Sequence, residues 1–241
     1  MIFDLVLMKL YSKMKTQREE FILSSISSLL SDVSKTMVLG GCEGVFVNKV
    51  MKRLGLKTIY TVDIDSKYVN ILKKNSAFIV SRADLNEKFP YKNSYFNLVV
   101  ADQIIEHIID LDNFISEIYR ILRINGKAII STENLASFAN ILSLVLGYRP
   151  FSIHYSNRIN IGNPLSPHNG HIIKSDSVIG AIHHKIFTPK ALKDLLKFYN
   201  FRIIKEFYNG FIPFSTKSEK FFGNHAFFMS YLVSKKNGRR T

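Results

Sequence analysis

A single cysteine, Cys42, is all the thiol chemistry in this sequence of 241 residues, and tryptophan is absent. One cysteine excludes an intrachain disulfide and a cysteine-built zinc cage, and it fits a reducing cytosol. Acidic residues are scarce, with 19 Asp and Glu against 33 Lys and Arg. No uncharged apolar run reaches the roughly 18 residues that a membrane span needs. The longest run, 135–146, suits a buried or interfacial helix better. The apolar start MIFDLVLMKL is interrupted by Asp4 and lacks a small-residue cleavage site, so it does not read as a signal peptide. A cytoplasmic protein, with at most peripheral contact at a membrane, is the expectation.

Apolar residues make up 46% of the chain, enough to bury a sizeable core. The charge is uneven. Residues 1–134 carry 18 Lys and Arg against 15 Asp and Glu, a net of +3; residues 135–241 carry 15 against 4, a net of +11. A basic C-terminal part attracts anionic partners such as acidic lipid or nucleic acid. Its basic residues are scattered, however, with no block of five like charges, which favours a lipid surface or plain solvation over nucleic acid.

Residues 1–35 read as helical, with Thr16-Gln17-Arg18-Glu19 resembling a capping box. Short apolar strands then alternate with helices: strands at 37–39, 58–62, 78–80, 97–101 and 127–131, and helices at 45–54, 67–74 and 112–122. Asp65 or Ser66 can cap the second of these helices, and Asn125-Gly126 marks the turn after the third. This alternation implies a parallel sheet covered on both faces. It stops after Asn134. Residues 148–186 hold five of the seven histidines and little periodicity, as a functional loop or lid does. Thr188-Pro189 starts a helix, with a cap and a proline at its first position. Two late strands follow at 201–207 and 225–233. The divisions expected are an N-terminal extension (1–35), a core (36–134), a lid (135–187) and a C-terminal helix with strands (188–241).

Three places carry ligand chemistry. Gly40-Gly41-Cys42-Glu43-Gly44 lies between a strand and a helix, where glycines let a ligand approach the backbone and the helix offers unpaired N–H groups. Asp63 ends the second strand and can accept hydrogen bonds from ribose hydroxyls, although Asp65 competes with it as a mere helix cap. Asp84, in Ala83-Asp84-Leu85, can accept from an adenine amino group. A nicotinamide dehydrogenase would need a third glycine where Val45 stands.

In that order and spacing the sequence resembles the class I S-adenosylmethionine-dependent methyltransferases, in the branch with ubiquinone-biosynthesis-type enzymes. TMVLGGCEG resembles the first motif of that family and TVDID the second. ADLNEKFPYKNSYFNLVVADQIIEHI resembles its adenine-binding segment, fourth strand and IEH signature. EIYRILRINGKAIISTEN and HHKIFTPKALKDLLKFYNFRI resemble its later helix–strand units. The resemblance implies a Rossmann-like, doubly wound, mainly parallel seven-stranded sheet with helices on both faces and an antiparallel C-terminal strand. It implies S-adenosyl-L-methionine as cofactor, held by Gly40, Gly41, Cys42, Gly44, Asp63, Ile64, Ala83, Asp84, Leu85, Asp102 and Gln103.

The sequence departs from the family pattern at Cys42, at Val38 (commonly an acid that orders the methionine end of the cofactor), at Asn97 and at Ile124-Asn125. A small residue fits at Cys42 if its φ is negative. His107 is the candidate base, since a neutral imidazole works near pH 7, and His183 is a second residue facing the acceptor. The competing reading is that His107 packs a short helix and that His183 and His184 are a surface pair. His168, His171, His183 and His184 show no metal-binding spacing, so no metal is expected. Residues 135–151, with Phe211, Phe214, Phe221 and Phe222, suggest an apolar wall over the acceptor or contact with an anionic membrane surface. The expected reaction is methyl transfer to a small-molecule, sugar-linked or lipid-linked acceptor. A non-catalytic scaffold and an RNA methyltransferase are the alternatives.

Overall fold

The computed structural model describes residues 2–29, 33–156, 158–166, 169–172, 182–210 and 222–237. The long helix α1 (Ile2–Leu29) precedes β1 (Thr36–Leu39), α2 (Val45–Arg53), β2 (Ile59–Asp63), α3 (Ser66–Leu72), β3 (Phe78–Arg82) and β4 (Phe96–Asp102). A 3-10 turn (Ile105–His107), α4 (Leu111–Ile121), β5 (Leu122–Glu133) and α5 (Phe138–Val145) come next. Further along the chain come α6 (Pro189–Phe198), β6 (Phe201–Asn209), a second 3-10 turn (Gly223–His225) and β7 (Phe228–Lys235).

The seven strands form one sheet in the order β3-β2-β1-β4-β5-β7-β6. The first five are mutually parallel, and β7 runs antiparallel to both β5 and β6. The mainly parallel, doubly wound sheet expected from sequence is therefore present. Strand side chains alternate between two cores, as the twofold repeat of a strand demands. Met37, Leu39, Val99, Ala101 and Ile130 meet Phe114, Ile115, Ile118 and Ile121 of α4 and Leu192 and Leu196 of α6. Val38, Leu98, Val100 and Ile129 point the other way, onto Phe21, Ile22 and Ile26 of α1 and Val47 and Val50 of α2. Each such fully buried aliphatic contributes about 1.5–3 kcal/mol. Because β1 lies between β2 and β4, the chain winds away from it in both directions. The crevice at that reversal, outside the carboxyl ends of the strands, is where open α/β sheets bind ligands.

Local chemistry sets the element ends. The Asp65 carboxylate, rather than Ser66, caps α3 by accepting from the Lys67 N–H at 2.7 Å. Thr188 caps α6 ahead of Pro189. Three expectations need correction. Thr16 starts no helix: it lies within α1 and donates back to the Ser12 carbonyl at 3.1 Å, since the apolar face continues across it. The strand expected at 127–131 extends back to Leu122 through Asn125, which takes a left-handed φ of 62° at a shift in register against β4. His225 belongs to the 3-10 turn, and the last strand begins at Phe228.

The run at 135–146 also differs from a buried helix. α5 turns its polar residues Asn140 and Ser143 inward and leaves Leu142, Leu144, Val145 and Leu146 exposed. Its inward face is an anchor. Asn140 Nδ2 donates to the Asn134 carbonyl and to Ser152 Oγ, both at 2.9 Å. The buried Arg149 guanidinium then gathers the segment that follows, donating to the carbonyls of Ile161 and Pro150 at 2.7 and 3.0 Å, to that of Ile153, and to Asn160 Oδ1 at 2.6 Å. Hydrogen bonds to one planar cation thus order a segment that has no apolar period. His168, Phe211, Phe214 and Phe221 lie outside the described residues.

Candidate active site

The bend after β1 is built for close approach. Gly40 has a φ of 70°, and a side chain there would overlap Ile104. A Cβ on Gly41 would stand 2.5 Å from Thr61 Oγ1 and 2.7 Å from Leu72. Both glycine N–H groups donate to the Val62 carbonyl at 3.0 Å, which pins the bend to β2. Cys42 corrects the sequence expectation, because its φ is +45° and not negative. It keeps the left-handed conformation of the glycine it replaces, at a cost of about 1–2 kcal/mol. Gly44 caps α2 without a side-chain acceptor, so the first N–H groups of that helix stay open to an anionic ligand.

Asp63 closes the bend. Its Oδ2 accepts from the Cys42 N–H at 2.8 Å and its Oδ1 from the Asp65 N–H at 3.0 Å. It is buried, yet a carboxylate oxygen has a second lone pair, so both oxygens can still accept from a diol. The end of β3 is tied to the same place, as the Ala83 N–H donates to the Asp63 carbonyl at 3.2 Å. Asp84 Oδ1 accepts from the backbone N–H and the side-chain amide of Asn86, at 2.8 and 2.9 Å. Asn86 Oδ1 in turn accepts from the N–H groups of Ile109 and Asp110, so Asp84 also organises the loop facing the first 3-10 turn. The Ile64 carbonyl holds Arg82, and Leu85 packs against the core.

At the end of β4, Asp102 is committed to protein partners. Arg18 donates to its two oxygens at 2.8 and 3.2 Å, and Ser131 Oγ is hydrogen bonded to it. Gln103 adopts a φ of 56° and donates its N–H to the Ser131 carbonyl at 3.0 Å.

Next to this pair is a buried group of acids and imidazoles. His107 Nδ1 lies 2.9 Å from the Ile182 carbonyl, and His183 Nδ1 lies 2.8 Å from the Ser152 carbonyl. A carbonyl only accepts, so each Nδ1 carries a proton and Nε2 is the nitrogen turned away from the carbonyl. The His107 and His183 rings are 5.0 Å apart, and His154 and His183 are 5.1 Å apart. Burial, reinforced by the neighbouring imidazoles, pushes both His107 and His154 down to about 4. Burial pushes Glu106 up to about 8, and the nearby Glu133 adds to the rise. Thr132 donates to Glu106 Oε2 at 2.9 Å. His183 is thus brought to His107, whereas His171 and His184 lie on the surface.

Residues 38–130 match the methyltransferase domain family. Over that region the chain is similar to the class I S-adenosylmethionine-dependent methyltransferases. A ubiquinone biosynthesis O-methyltransferase of Rickettsia canadensis is 29% identical over 149 residues, which cover 57% of this chain and 61% of that protein. One from Rickettsia felis is 26% identical over 145 residues, covering 57% and 59%. The matched region therefore spans about three fifths of the length of these relatives. In fold, the chain is similar to an S-adenosylmethionine-dependent methyltransferase of Thermotoga maritima, described as a possible histamine N-methyltransferase. That structure has a TM-score of 0.59 at 17% identity, covering 98% of both chains.

The methyltransferase domain takes S-adenosyl-L-methionine as its cofactor, and the residues present fit it. Side chains at Gly40 or Gly41 would strike Ile104, Thr61 and Leu72 and so displace the bend, Asp63 stands beside that bend with lone pairs to spare, and the helix α2 opens next to it. Among the described residues, the site also holds Tyr11, Arg18, Glu106, Glu133 and His154, which sequence reasoning missed. Glu106 had a visible signal, since it precedes His107 within the IEH signature. The others come from α1, the end of β5 and the lid, and no local spacing announces them.

Proposed function

We propose that this protein transfers a methyl group from S-adenosyl-L-methionine to an oxygen of a small, largely apolar or lipid-linked acceptor. The observation that carries the reading is the 2.8 Å hydrogen bond between the Cys42 N–H and Asp63 Oδ2, which sets a carboxylate suited to a ribose diol against the glycine bend. The choice of oxygen rests on the O-methyltransferase relatives. An apolar acceptor is supported by the exposed Leu142, Leu144, Val145 and Leu146 of α5, whose inward face anchors the lid over the imidazoles. Among the described residues no helix is long and apolar enough to cross a membrane.

When bound, the cofactor supplies a sulfonium-activated methyl group. The protein supplies position. Asp63 holds the sugar hydroxyls, and the open N–H groups of α2 face the anionic end. Orientation alone accounts for roughly 7–11 kcal/mol of a transfer barrier. His107, kept neutral by its burial, presents Nε2 and takes the acceptor's hydroxyl proton, with His183 beside it.

Calorimetry with S-adenosylhomocysteine tests this reading. Wild type binds, and Asp63→Ala weakens binding by about 10–150-fold, as loss of hydrogen bonds to a charged acceptor predicts. Equal affinity in the variant, or no binding by wild type, overturns the reading.

A further inference from the structure

Glu106, in the turn after β4, and Glu133, at the end of β5, are two buried acids that no lysine or arginine answers. From their placement we propose that they form a subsite for an ammonium group carried by the acceptor, next to the hydroxyl that is methylated. The ligand class is an apolar amino alcohol. The proposal rests on the methyl-transfer reading only in calling this ligand the acceptor.

Three observations carry it. First, Glu106 and Glu133 are only 1% and 7% exposed, yet Glu106 Oε1 and Glu133 Oε2 have no hydrogen-bond partner among the described residues. Buried polar atoms are nearly always paired, so two open acceptors suit a ligand that donates. They lie at one place: Glu133 Oε2 is 3.9 Å from His183 Nδ1, and a Glu106 carboxyl oxygen lies within 4.8 Å of a His183 nitrogen. Second, the charges do not balance. Arg18 gives Nε and Nη2 to Asp102, and Arg149 gives its N–H groups to carbonyls and Asn160. Among the described residues no lysine or arginine forms an ion pair with Glu106 or Glu133. Buried charges are stable only when paired, and a ligand cation would pair these. Third, an aromatic ring stands beside the acids. Phe228 pairs directly with Glu133 across β5 and β7, and the Tyr11 ring centre is 5.6 Å from that of Phe228. Burial, and after it the charge of Glu133, push the Tyr11 hydroxyl above its ordinary value. Aromatic rings attract alkylammonium groups through their π faces.

An ammonium group is all donors, so it uses the open carboxyl oxygens and leaves His107 Nε2 free to act as base. The arrangement also selects the atom that is methylated. A protonated amine has no lone pair, so the amine held by the two acids cannot take the methyl group. The neighbouring hydroxyl can: its oxygen bonds to the methyl carbon, the carbon–sulfur bond breaks with its electron pair going to sulfur, and the hydroxyl proton goes to His107 Nε2. A Glu106 oxygen lies within 4.8 Å of a His107 nitrogen, which puts the amine and the hydroxyl on neighbouring carbons of the ligand. The backbone holds the subsite together, since the His184 and Lys185 N–H groups donate to the Glu106 carbonyl at 2.8 and 3.1 Å.

The test is calorimetric titration of the full chain with hexylamine and, separately, hexanol, each with and without S-adenosylhomocysteine. Hexylamine binds about 10–150-fold more tightly than hexanol, as hydrogen bonds to charged groups predict. Glu106→Gln and Glu133→Gln each reduce that preference by at least about 10-fold and leave hexanol binding unchanged. The surface variant Glu87→Gln changes neither. A second measurement needs no variant. Burial, with Glu133 adding to it, pushes Glu106 up to about 8, so its carboxyl is largely protonated at neutral pH. Hexylamine therefore releases up to about one proton as Glu106 ionises beside the cation, and hexanol releases none; titration in buffers of different ionisation enthalpy reads the difference. Equal affinity for the two probes, an unchanged preference in both acid variants, or no proton release overturns the proposal. So does displacement of hexylamine by S-adenosylhomocysteine, which would put the amine at the cofactor's methionyl end. Binding of S-adenosylhomocysteine alone reports separately on the methyl-transfer reading.

Discussion

Arg18 of α1 donates from Nε and Nη2 to the two carboxylate oxygens of Asp102, across 84 positions of sequence, with both side chains nearly inaccessible to water. The guanidinium also lies 4.5 Å from the centre of the Phe228 ring. The long N-terminal helix is thereby fastened to the strand end that faces the active site. Burial opposes the charge on Arg18, but Asp102 outweighs it and holds the pKa above the ordinary arginine value.

Arg18→Met would leave the Asp102 charge buried near Glu106 and Glu133. Breaking a buried pair from one side costs about 3–5 kcal/mol. Urea unfolding should register that loss, and the double variant Arg18→Met, Asp102→Asn should recover much of it. A loss below about 1 kcal/mol in the single variant would show that the pair does not fasten the helix.

The glycine bend makes opposite predictions at adjacent positions. Gly41→Ala drives a methyl group against Thr61 and Leu72, for a loss of about 1–3 kcal/mol. Cys42→Gly removes the strain of a φ of +45° at the expense of added freedom in the unfolded chain, a net gain of about 0.5–1 kcal/mol. Thermal unfolding of both variants decides it; destabilisation by Cys42→Gly would mean that the side chain contributes more than its conformation costs.

Glu117 gives the stability a defined response to acid. Burial raises its pKa, but hydrogen bonds from Arg120 at 2.6 Å and from the Phe89 N–H at 2.6 Å outweigh that and hold the carboxyl below its ordinary value. A carboxylate depressed by folding stabilises the fold fully above its unfolded pKa, and that contribution fades as pH falls through the folded value. Glu117→Gln should therefore be less stable than wild type at pH 7, and the gap in urea midpoints should close below about pH 4. A gap that stays constant down to pH 3 would contradict the assignment.

The sheet was legible because its signal is local. Met37, Val38 and Leu39 alternate sides, and glycines or aspartates mark the strand ends, so neighbouring residues state both the strand and its turn. The place of Asp63 beside the glycine bend was legible for the same reason, since its distance from the glycines follows from one helix and one strand. The grouping of the histidines was not. His183 meets His107 because Asn140, Ser152 and Arg149 fold the lid through hydrogen bonds between residues 11 to 14 positions apart or more, which leave no period. The capping box at Thr16 misled because a local motif says where a helix can begin, whereas burial of Phe21 and Ile22 beyond it makes the helix continuous.

The penultimate place of β7 in the sheet matters for how the chain is made. β6 pairs with β7 alone, and β7 fills the gap beside β5. A nascent polypeptide that has emerged only as far as Asn209 can assemble the five parallel strands, but its sixth has nothing to bond to. Closure then waits for Phe228–Lys235 to leave the ribosome, and until that moment β5 keeps an open edge that this one strand later covers.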